Sequence, residues 1–489
     1  MSTPLVRYGQ LREAAAKRRA ALALPRVLVH ISGCGLAVGA GETQARLADA
    51  LAARAASLGE VGCNGMCYRE PMVTVVKPGG VRFTYGDVAA DRVPALVDEC
   101  VLGECPAPRA HADMLIAVDP PRLGMRKWDD HDYWRLQHRL VSRLCGLVEP
   151  RDVDDAIARG GYRQLARALT ELTSDQILDE VRRASLLGRG GAAFPSAAKW
   201  ETARKASGYP KYMVCNAEEG EPSIYKDRRL LEADPHGVLE GLLIAAYTIG
   251  SDRGFLYIGG EHLLAHDICV VALEQAYERG LLGEHILGSD FSFHLELRMG
   301  AGSYAAGESS AMMSSIEGSR GMPRVKLVRS AERGLFQKPT NMNNVETYAN
   351  VPVILEHGAA WFAQTGGPKS KGSKILAPSG HVKRSGWVEV PLGMSTRTFL
   401  YDLCGGVSTG RPLKCLQPAG VSSVPIPEHL LDTPITNEDY EKAGLTLGSG
   451  GMVVLDDSTC IVDLMRYYLE FDWVESCSRC TTCRVSNER

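Results

Sequence analysis

Apolar and polar positions in the first part of the chain predict a small α/β unit. Residues 27–31 form a continuous apolar run of strand length, and apolar positions at helical spacing follow over residues 43–58. Two further strand-like runs cover residues 72–76 and 81–85. In front of this unit, residues 1–24 are rich in Ala, Arg and Leu and predict an amphipathic helix.

The middle of the chain repeats this alternation on a larger scale. Short apolar runs at residues 212–214 and 255–258 predict buried strands, and residues 237–249 and 262–278 carry apolar side chains at helical spacing. Alternating side chains over residues 291–297 predict a strand with one solvated face. Strands that alternate with helices favour an α/β layered domain.

The remaining segments differ in composition from these two regions. Residues 105–150 contain five prolines and predict a connecting segment, followed by a helix over residues 152–169. Residues 371–445 are rich in Gly, Pro and Ser, with short strand-like runs such as 387–390. Residues 461–469 predict a helix. The chain is therefore expected to be a multidomain α/β protein.

Size, charge and cysteine content narrow the class of protein. A chain of 489 residues suffices for about three or four domains. A net charge of −3 argues against a nucleic-acid partner, and apolar runs such as residues 241–249 are too short to span a membrane. Residues 1–24 lack the apolar core and cleavage site of a signal peptide, so we expect a cytoplasmic protein. In that compartment the 14 cysteines predict metal or iron-sulfur ligation rather than disulfides.

A glycine-rich loop has the composition of a phosphate-binding loop: Gly188, Arg189, Gly190, Gly191 and Lys199. Glycines let backbone N–H groups converge on an anion, and the two cationic side chains add charge. Residues 173–187 have helical spacing behind Ser174 as a candidate N-cap, so the loop follows a helix. An ordinary dinucleotide-binding turn follows a strand instead. The alternative is a glycine-rich surface turn.

The cysteines near the end of the chain have the spacing of iron-sulfur ligands. Cys477, Cys480 and Cys483 form a C-x-x-C-x-x-C run. This run favours a [4Fe-4S] cluster over zinc, because zinc sites usually pair two separated hairpins. The fourth ligand is not local, and Cys460 or Cys415 is a candidate substitute.

A second group of cysteines lies in the first α/β unit. Cys63 and Cys67 share one glycine-containing loop, and Cys34 follows the first predicted strand. Three thiolates from neighbouring loops are suited to one iron-sulfur cluster, although a fourth cysteine is not apparent.

Five ordered motifs lie at residues 188–200, 216–228, 300–308, 317–324 and 338–347. Together they resemble the NADH-binding FMN subunit of respiratory complex I and the diaphorase subunits of soluble NAD-linked hydrogenases and formate dehydrogenases. Residues 32–40 and 62–75 resemble the thioredoxin-like [2Fe-2S] ferredoxin domain of the same systems. In that domain a further cysteine precedes the position of Cys34, where this chain has Val29 and His30; either His30 substitutes or the fold persists without its metal.

The resemblance implies a division of the chain into domains. The expected units are a thioredoxin-like [2Fe-2S]-type domain at 1–110, a linker and helix at 111–160, a Rossmann-like FMN and dinucleotide domain at 161–365, a small β-grasp (SLBB-like) domain at 366–446 and a C-terminal helical [4Fe-4S] domain at 447–489. In the family the fourth cluster cysteine lies well downstream of the triplet, so the last domain is expected to be truncated.

The resemblance also implies an FMN site beside a nucleotide site. The residues expected to bind FMN are Gly188, Arg189, Gly190, Gly191, Lys199, Asn216, Glu218, Glu219, Tyr304, Gly307, Glu308, Met342, Asn343 and Asn344. Those expected to contact the dinucleotide are Phe194, Glu221, Ser309, Lys326 and Arg329. Hydride transfer takes place at FMN, so no side chain is expected to be catalytic.

The adenine side of the nucleotide site departs from the family pattern. Ser309 stands where the family has a second glutamate that faces the ribose, and Thr202 stands where it has a stacking aromatic. Lys326 is followed by residues 327–329, Leu-Val-Arg, instead of two prolines and an aromatic, whereas Phe194 is retained. Loss of a carboxylate and gain of an arginine would suit a 2′-phosphate.

The expected function is that of an electron-input flavoprotein subunit, which exchanges hydride between NAD(H) or NADP(H) and FMN and single electrons with a [4Fe-4S] cluster. Its expected partners are iron-sulfur and catalytic subunits of a larger redox complex. The fused ferredoxin-like domain favours the hydrogenase or formate dehydrogenase type over complex I. The alternatives are a non-catalytic relay or scaffold subunit, or a donor other than NAD(P)H.

Overall fold

The fold was taken from a computed structural model, which describes residues 3–20, 24–103, 113–121, 125–325 and 327–486. The described residues form a mixed α/β structure with three sheets. No helix among them is long and apolar enough to cross a membrane.

The first sheet has five strands in the order β2-β1-β3-β4-β5. Its strands are β1 (Arg26–His30), β2 (Ser57–Val61), β3 (Val73–Val76), β4 (Arg82–Tyr85) and β5 (Leu115–Asp119). Only β1 and β2 pair in parallel; the other neighbours are antiparallel. The helices of this region are α2 (Gly33–Ala37), α3 (Ala40–Leu51) and α4 (Val93–Leu96). Val27, Leu28 and Val29 are all buried in β1, so side chains on both faces of the strand are covered. This explains why the apolar run is continuous.

Two expectations for this region need correction. The helix predicted over residues 43–58 ends at Leu51, and Ser57–Val61 forms β2 instead. Most of β2 is only half-buried and its sequence mixes polar and apolar residues, so it carries no apolar run. Strand β5 lies inside the proline-containing segment interpreted as a connection, yet it is hydrogen-bonded to β4.

The N-terminal helix α1 (Pro4–Ala20) confirms the predicted amphipathic helix. It packs against α6 (Val153–Ala158) and α7 (Arg163–Glu171), and a short helix α5 (Asp132–Arg135) precedes them. Tyr8 and Ala15 are buried in the contact, and Arg18 forms an ion pair of 2.6 Å with Asp154.

The central sheet is parallel throughout and has the order β8-β7-β6-β9. Its strands are β6 (Tyr212–Ala217), β7 (Arg253–Ile258), β8 (His294–Met299) and β9 (Thr340–Asn344). The surrounding helices are α8 (Ser174–Arg183), α9 (Ser196–Lys205), α10 (Lys226–Ala233), α11 (Pro235–Ile249), α12 (Leu263–Glu278), α13 (Ser309–Ile316), α14 (Val345–His357) and α15 (Ala359–Phe362). Ligands bind beyond the carboxyl ends of such strands, so the ends of β6 and β9 mark the place to search for a site.

Helix α8 precedes the glycine loop, as its spacing predicts. Its N-cap is Thr173 rather than Ser174: the Thr173 side chain accepts a hydrogen bond from the Gln176 backbone, and the Gln176 side chain accepts one from the Thr173 backbone. This reciprocal pair fixes the start of the helix one residue earlier than expected.

The third sheet has four strands in the order β11-β10-β13-β12. The strands are β10 (Ser373–Gly380), β11 (Val388–Pro391), β12 (Leu413–Pro418) and β13 (Gly451–Asp456), with α16 (Asn437–Lys442) between β12 and β13. The chain continues into α17 (Ile461–Val474) and α18 (Thr481–Ser486). Because β13 starts after residue 447, the sheet includes residues from two of the expected domains, and the domain division stays a prediction.

Candidate functional site

Two cavities lie on either side of the glycine loop. The carboxylate cavity, of about 340 Å³, is lined by Gly190, Asn216, Glu218, Glu219, Gly220, Glu221, Ile224, Asp227, Tyr304, Ala305, Gly307, Glu308, Asn344 and Ser449. The arginine cavity, of about 570 Å³, is lined by Phe194, Lys199, Thr202, Ser309, Ser310, Met313, Arg324, Val325, Leu327, Val328, Arg329, Ser330, Ala331, Arg333 and Gln337.

The carboxylate cavity is built at the carboxyl ends of β6 and β9, where the parallel-sheet rule places a ligand. Asn216 near the end of β6 donates from Nδ2 to the Gly307 carbonyl at 3.0 Å, and its Oδ1 accepts from the Glu218 N–H at 3.1 Å. The Glu219 carboxylate accepts from the Asp227 and Arg228 N–H groups at the start of α10, at 2.8 and 3.2 Å. These bonds orient the acidic turn toward the cavity.

Two glutamates of this turn present buried oxygens without a partner. Glu218 is 8% exposed, and neither of its carboxylate oxygens has a hydrogen-bond partner among the described residues. Burial raises the pKa of Glu218 to about 8, helped by the charges of Glu261, Glu475 and Glu219. The Glu221 carboxylate accepts from Ser449 through one oxygen only, and burial raises its pKa as well. Unsatisfied buried acceptors need donors, which a bound ligand can provide.

A buried ion network supports the other wall of the carboxylate cavity. Lys226 Nζ lies 2.5 Å from Asp227 Oδ1, 3.2 Å from Glu346 Oε2 and 3.1 Å from Asn344 Oδ1. Asn344 Nδ2 donates to Asp227 Oδ2 at 2.5 Å. Burial alone would lower the pKa of Lys226, but the neighbouring carboxylates raise it above its usual value. The ammonium is therefore a fixed charge next to the cavity, and residue spacing alone did not assign it to the site.

The glycine loop meets β9 closely at Gly190. A Cβ at this position would lie 3.0 Å from Asn344 Cβ, so the loop approaches the strand end more closely than a larger residue allows. On the opposite wall a Cβ at Gly220 would lie 3.0 Å from Tyr304 Cα. Glycine at both places keeps the cavity open.

Arg189 and Lys199, the two cations predicted to bind phosphate, lie outside the lining of the carboxylate cavity. The fully buried Arg189 guanidinium donates to the carbonyls of Leu187 at 3.2 Å and Lys371 at 2.6 Å, which ties the loop to the segment before β10. Lys199 lines the arginine cavity and donates to the Met342 carbonyl. Burial lowers the pKa of Lys199 to about 8. Neither side chain lines the carboxylate cavity.

Four other residues expected to bind FMN also lie outside its lining: Gly188, Gly191, Met342 and Asn343. Asn343 is buried, and its Oδ1 accepts from Trp200 Nε1 at 3.0 Å and from Asn341 Nδ2 at 2.9 Å. The bond to Trp200 joins β9 to α9, the helix that follows the glycine loop, so Asn343 helps to fix the position of that loop. The eight remaining expected residues, together with Glu221, do line the cavity.

The arginine cavity collects most of the residues expected to contact the dinucleotide. Phe194 is 47% exposed and lines it together with Ser309 and Arg329. Arg324 also lines it but is paired with the Glu317 carboxylate. Glu221 faces the other cavity, and Lys326 lies outside the described residues.

The two cavities share a wall. Gly190 lines one and Phe194, four residues later, lines the other; Glu308 and Ser309 divide in the same way at the start of α13. The two cavities are therefore adjacent at the glycine loop and at this turn.

The three N-terminal cysteines converge as their positions predict. Cys63 Sγ and Cys67 Sγ lie 3.7 Å apart, and Cys34 lies within hydrogen-bonding reach of Cys67. Arg229 of α10 donates to Cys34 Sγ at 2.9 Å, and the buried Glu70 carboxylate adjoins Cys63. His30, the suggested substitute ligand, instead contacts Thr74 Oγ1 through Nε2 at 2.9 Å.

The C-terminal cysteines lie on the surface around the start of α18. Cys477 is half-buried, Cys480 and Cys483 are exposed, and Cys483 Sγ lies 3.1 Å from Ser476 Oγ. Of the two suggested substitutes, Cys460 is exposed before α17 and Cys415 is buried in β12. In the part of the chain that the structure describes, no group of three or more His, Cys, Asp or Glu side chains has the arrangement of a metal site.

Comparison with known proteins gives matches over most of the chain. The family model of the Nuo51 FMN-binding domain matches residues 181–353. The NADP-reducing hydrogenase subunit HndC of Solidesulfovibrio fructosivorans is 43% identical over 353 residues, 72% of either chain. An NADH-quinone oxidoreductase subunit of Rhizobium meliloti (strain 1021) is 46% identical over 327 residues, 67% of this chain and 78% of the relative. An NAD+-reducing [NiFe]-hydrogenase structure in the H2-reduced state is similar with a TM-score of 0.62 and 25% identity, over 97% of this chain and 78% of that chain.

Proposed function

The chain belongs to the family of NADH-quinone oxidoreductase and hydrogenase subunits that carry the Nuo51 FMN-binding domain, and from this premise we propose that it is an NAD(P)H-oxidising flavoprotein subunit. It takes hydride from a nicotinamide dinucleotide at FMN and delivers single electrons to iron-sulfur clusters. The observation that carries the proposal is the carboxylate cavity, which lies at the ends of β6 and β9 and whose lining residues, apart from Ser449, fall inside the matched region.

The residues of the carboxylate cavity fit FMN. Its volume of about 340 Å³ lies within the usual range of small-molecule sites. The unpartnered oxygens of Glu218 and Glu221 match the hydroxyl and N–H donors of a ribityl chain and flavin ring. The loop backbone at Gly190 is the part of the lining that suits a phosphate, and the Lys226 ammonium behind it is paired with Asp227 and Glu346. Tyr304 and Gly307 complete the wall.

Bound FMN supplies the hydride acceptance and the one-electron release that the reaction needs. The chain contributes position and charge. Asn216 and Asn344 orient polar edges of the site, and the ion pairs of Lys226 with Asp227 and Glu346 hold Asp227 and Asn344 in place. Glu218, whose pKa is about 8, holds a proton on its carboxyl group at neutral pH.

The proposal includes a [4Fe-4S] cluster on Cys477, Cys480 and Cys483, with a fourth ligand still to be identified. Cys480→Ser should lower the iron content and leave flavin reduction by nucleotide intact while onward electron transfer stops. Thr482→Ser, in the same turn, is the matched control. Unchanged iron content and unchanged electron paramagnetic resonance signals in the Cys480 variant would remove the cluster from the proposal.

We also propose a [2Fe-2S] cluster on Cys34, Cys63 and Cys67. Three of the four ligands that such a cluster needs lie together, and the neighbouring polar groups are Glu70 and Arg229 rather than a fourth cysteine. Iron analysis of the purified protein tests it: about four iron atoms per chain indicate the C-terminal cluster alone, and about six indicate both.

We further propose iron-sulfur and catalytic subunits of a larger cytoplasmic redox complex as partners. Exposed apolar side chains on α17, among them Val462, Trp473 and Val474, support a subunit contact on this helix.

The central experiment adds NADH or NADPH to the oxidised protein and follows the flavin absorbance. Bleaching by either nucleotide, together with one FMN per chain released by acid, supports the proposed function. If the protein contains FMN and neither nucleotide bleaches it, the subunit is a relay or uses another donor. If acid releases no flavin, the assignment of the carboxylate cavity is wrong.

A further inference from the structure

We propose that the arginine cavity binds the 2′-phosphate of NADP(H), so that the protein prefers NADPH to NADH. This inference rests on the proposed function, because it places the adenosine half of the dinucleotide in the arginine cavity while the nicotinamide half reaches the carboxylate cavity. It concerns only the choice between the two nucleotides.

The charge of the cavity carries the inference. The described residues of its lining include four cationic side chains, Lys199, Arg324, Arg329 and Arg333, and no carboxylate. Arg324 is neutralised by Glu317, whereas Arg329 and Arg333, both exposed, form no ion pair with any described residue. The Arg333 N–H donates to the Arg329 carbonyl at 2.9 Å, so one tight turn places both arginines in the lining of the same cavity. A dianionic phosphate is the ligand chemistry that suits two adjacent guanidinium groups.

The start of α13 lacks the group that would oppose a 2′-phosphate. Sites that favour NAD usually present a carboxylate to the free ribose 2′-hydroxyl, whereas an arginine at this place accommodates the phosphate. Glu308 cannot serve as that carboxylate on the arginine side, because it caps α13 by accepting from the N–H groups of Ser310 at 2.9 Å and Ala311 at 3.0 Å. The residue that lines the arginine cavity here is Ser309, which is neutral.

The shape of the cavity suits the rest of an adenosine. The exposed Phe194 ring offers a stacking face, and Val325, Leu327 and Val328 supply further apolar surface. The shared wall at Gly190 and Phe194 keeps this surface next to the proposed flavin site.

A binding experiment without hydride transfer tests the charge argument directly. Isothermal titration of the flavin-loaded protein with 2′,5′-ADP and with 5′-AMP compares probes that differ in the 2′-phosphate. We expect 2′,5′-ADP to bind at least about tenfold more tightly, and the difference to collapse in the double variant Arg329→Ala with Arg333→Ala. Arg46→Ala, at an exposed position on α3, removes the same charge far from the cavity and should leave the difference unchanged.

Steady-state kinetics then separates this inference from the proposed function. We expect kcat/KM for NADPH to exceed that for NADH in the wild type, and the double variant to lose the preference mainly through KM for NADPH. Equal affinity for the two probes, or a nucleotide preference that survives the double variant, overturns the inference while NADH or NADPH oxidation still supports the proposed function. Oxidation of neither nucleotide refutes the proposed function itself.

Discussion

The carboxylate cavity and the arginine cavity share a wall but are opposite in charge and construction. The first is lined by five carboxylates, Glu218, Glu219, Glu221, Asp227 and Glu308, and is held by the ends of two parallel strands. The charged residues that the structure describes in the second are all cationic, and this cavity is formed largely by the irregular segment between α13 and β9. In the proposed complex, the carboxylate cavity supplies hydrogen-bond acceptors to the flavin, and the arginine cavity supplies phosphate-binding cations to the adenosine half of the dinucleotide.

Burial makes the two cavities respond differently to substitution. Glu218 and Glu219 are buried, so a change at either side chain acts on the site with little solvent screening. Arg329 and Arg333 are exposed, so each contributes less and is sensitive to salt. We therefore expect steric changes at the buried wall to have the largest effects, and single charge changes smaller ones.

The largest effect should come from closing the carboxylate cavity at Gly190. Even the Cβ of a larger residue meets Asn344 Cβ at 3.0 Å, and Gly190→Leu would direct the rest of its side chain at β9 or into the cavity. We expect the affinity for FMN to fall by more than about a hundredfold, because the end of β9 leaves no room for the added side chain. Fluorescence of acid-released flavin per chain measures it. Gly9→Leu, where an added Cβ meets nothing within 4 Å, is the control. Full flavin content in the Gly190 variant would contradict the site.

The next effect should be a change in nucleotide preference when a carboxylate is restored to the arginine cavity. Ser309→Glu places a negative charge in the lining of the arginine cavity, to which Arg329 also belongs. The ratio of kcat/KM for NADPH to kcat/KM for NADH should fall by about ten- to a hundredfold. Ser309→Gln has nearly the same size without the charge and should shift the ratio far less. Equal shifts in the two variants would mean that bulk rather than charge causes the change.

The contrast between the cavities also marks how far the sequence predicts the site. The glycine loop, the acidic turn after β6 and Asn344 were predicted to contact one ligand, and eight of the fourteen residues expected to bind FMN line the carboxylate cavity. Arg189 and Lys199 were assigned to the same ligand because cations in a glycine loop suit phosphate. In the structure, Arg189 donates to the carbonyls of Leu187 and Lys371, and Lys199 donates to the carbonyl of Met342. Lys371 and Met342 are distant in sequence, so local spacing does not reveal these contacts.

The fold was predictable where burial was uniform. Strand β7 and helices α11 and α12 carry dense apolar side chains, and their positions agree with the predicted runs. Strand β2 was missed because it is half-buried at a sheet edge, and its identity depends on pairing with β1. In the same way, Lys226 adjoins the cavity through its contact with Asn344, a lining residue 118 positions away in the chain.

The smallest effect, and the one that tests the acidic side most specifically, is the pH dependence of flavin binding through Glu218. Burial, followed by the charges of Glu261, Glu475 and Glu219, raises the pKa of this carboxyl group from 4.5 to about 8. A folded-state pKa above the unfolded value means that the stabilising contribution is complete below about pH 4.5 and is lost as the pH rises through about 8. Deprotonation then leaves a buried, unpartnered charge beside a ligand that carries a phosphate, so FMN affinity should fall by about three- to tenfold between about pH 6.5 and 9. Glu218→Gln cannot ionise and should flatten this dependence, whereas Glu261→Gln, at an exposed neighbour, should change it only slightly. Fluorescence titration of FMN at each pH measures the affinities, and parallel pH curves for the wild type and Glu218→Gln would show that this carboxyl group does not face the flavin.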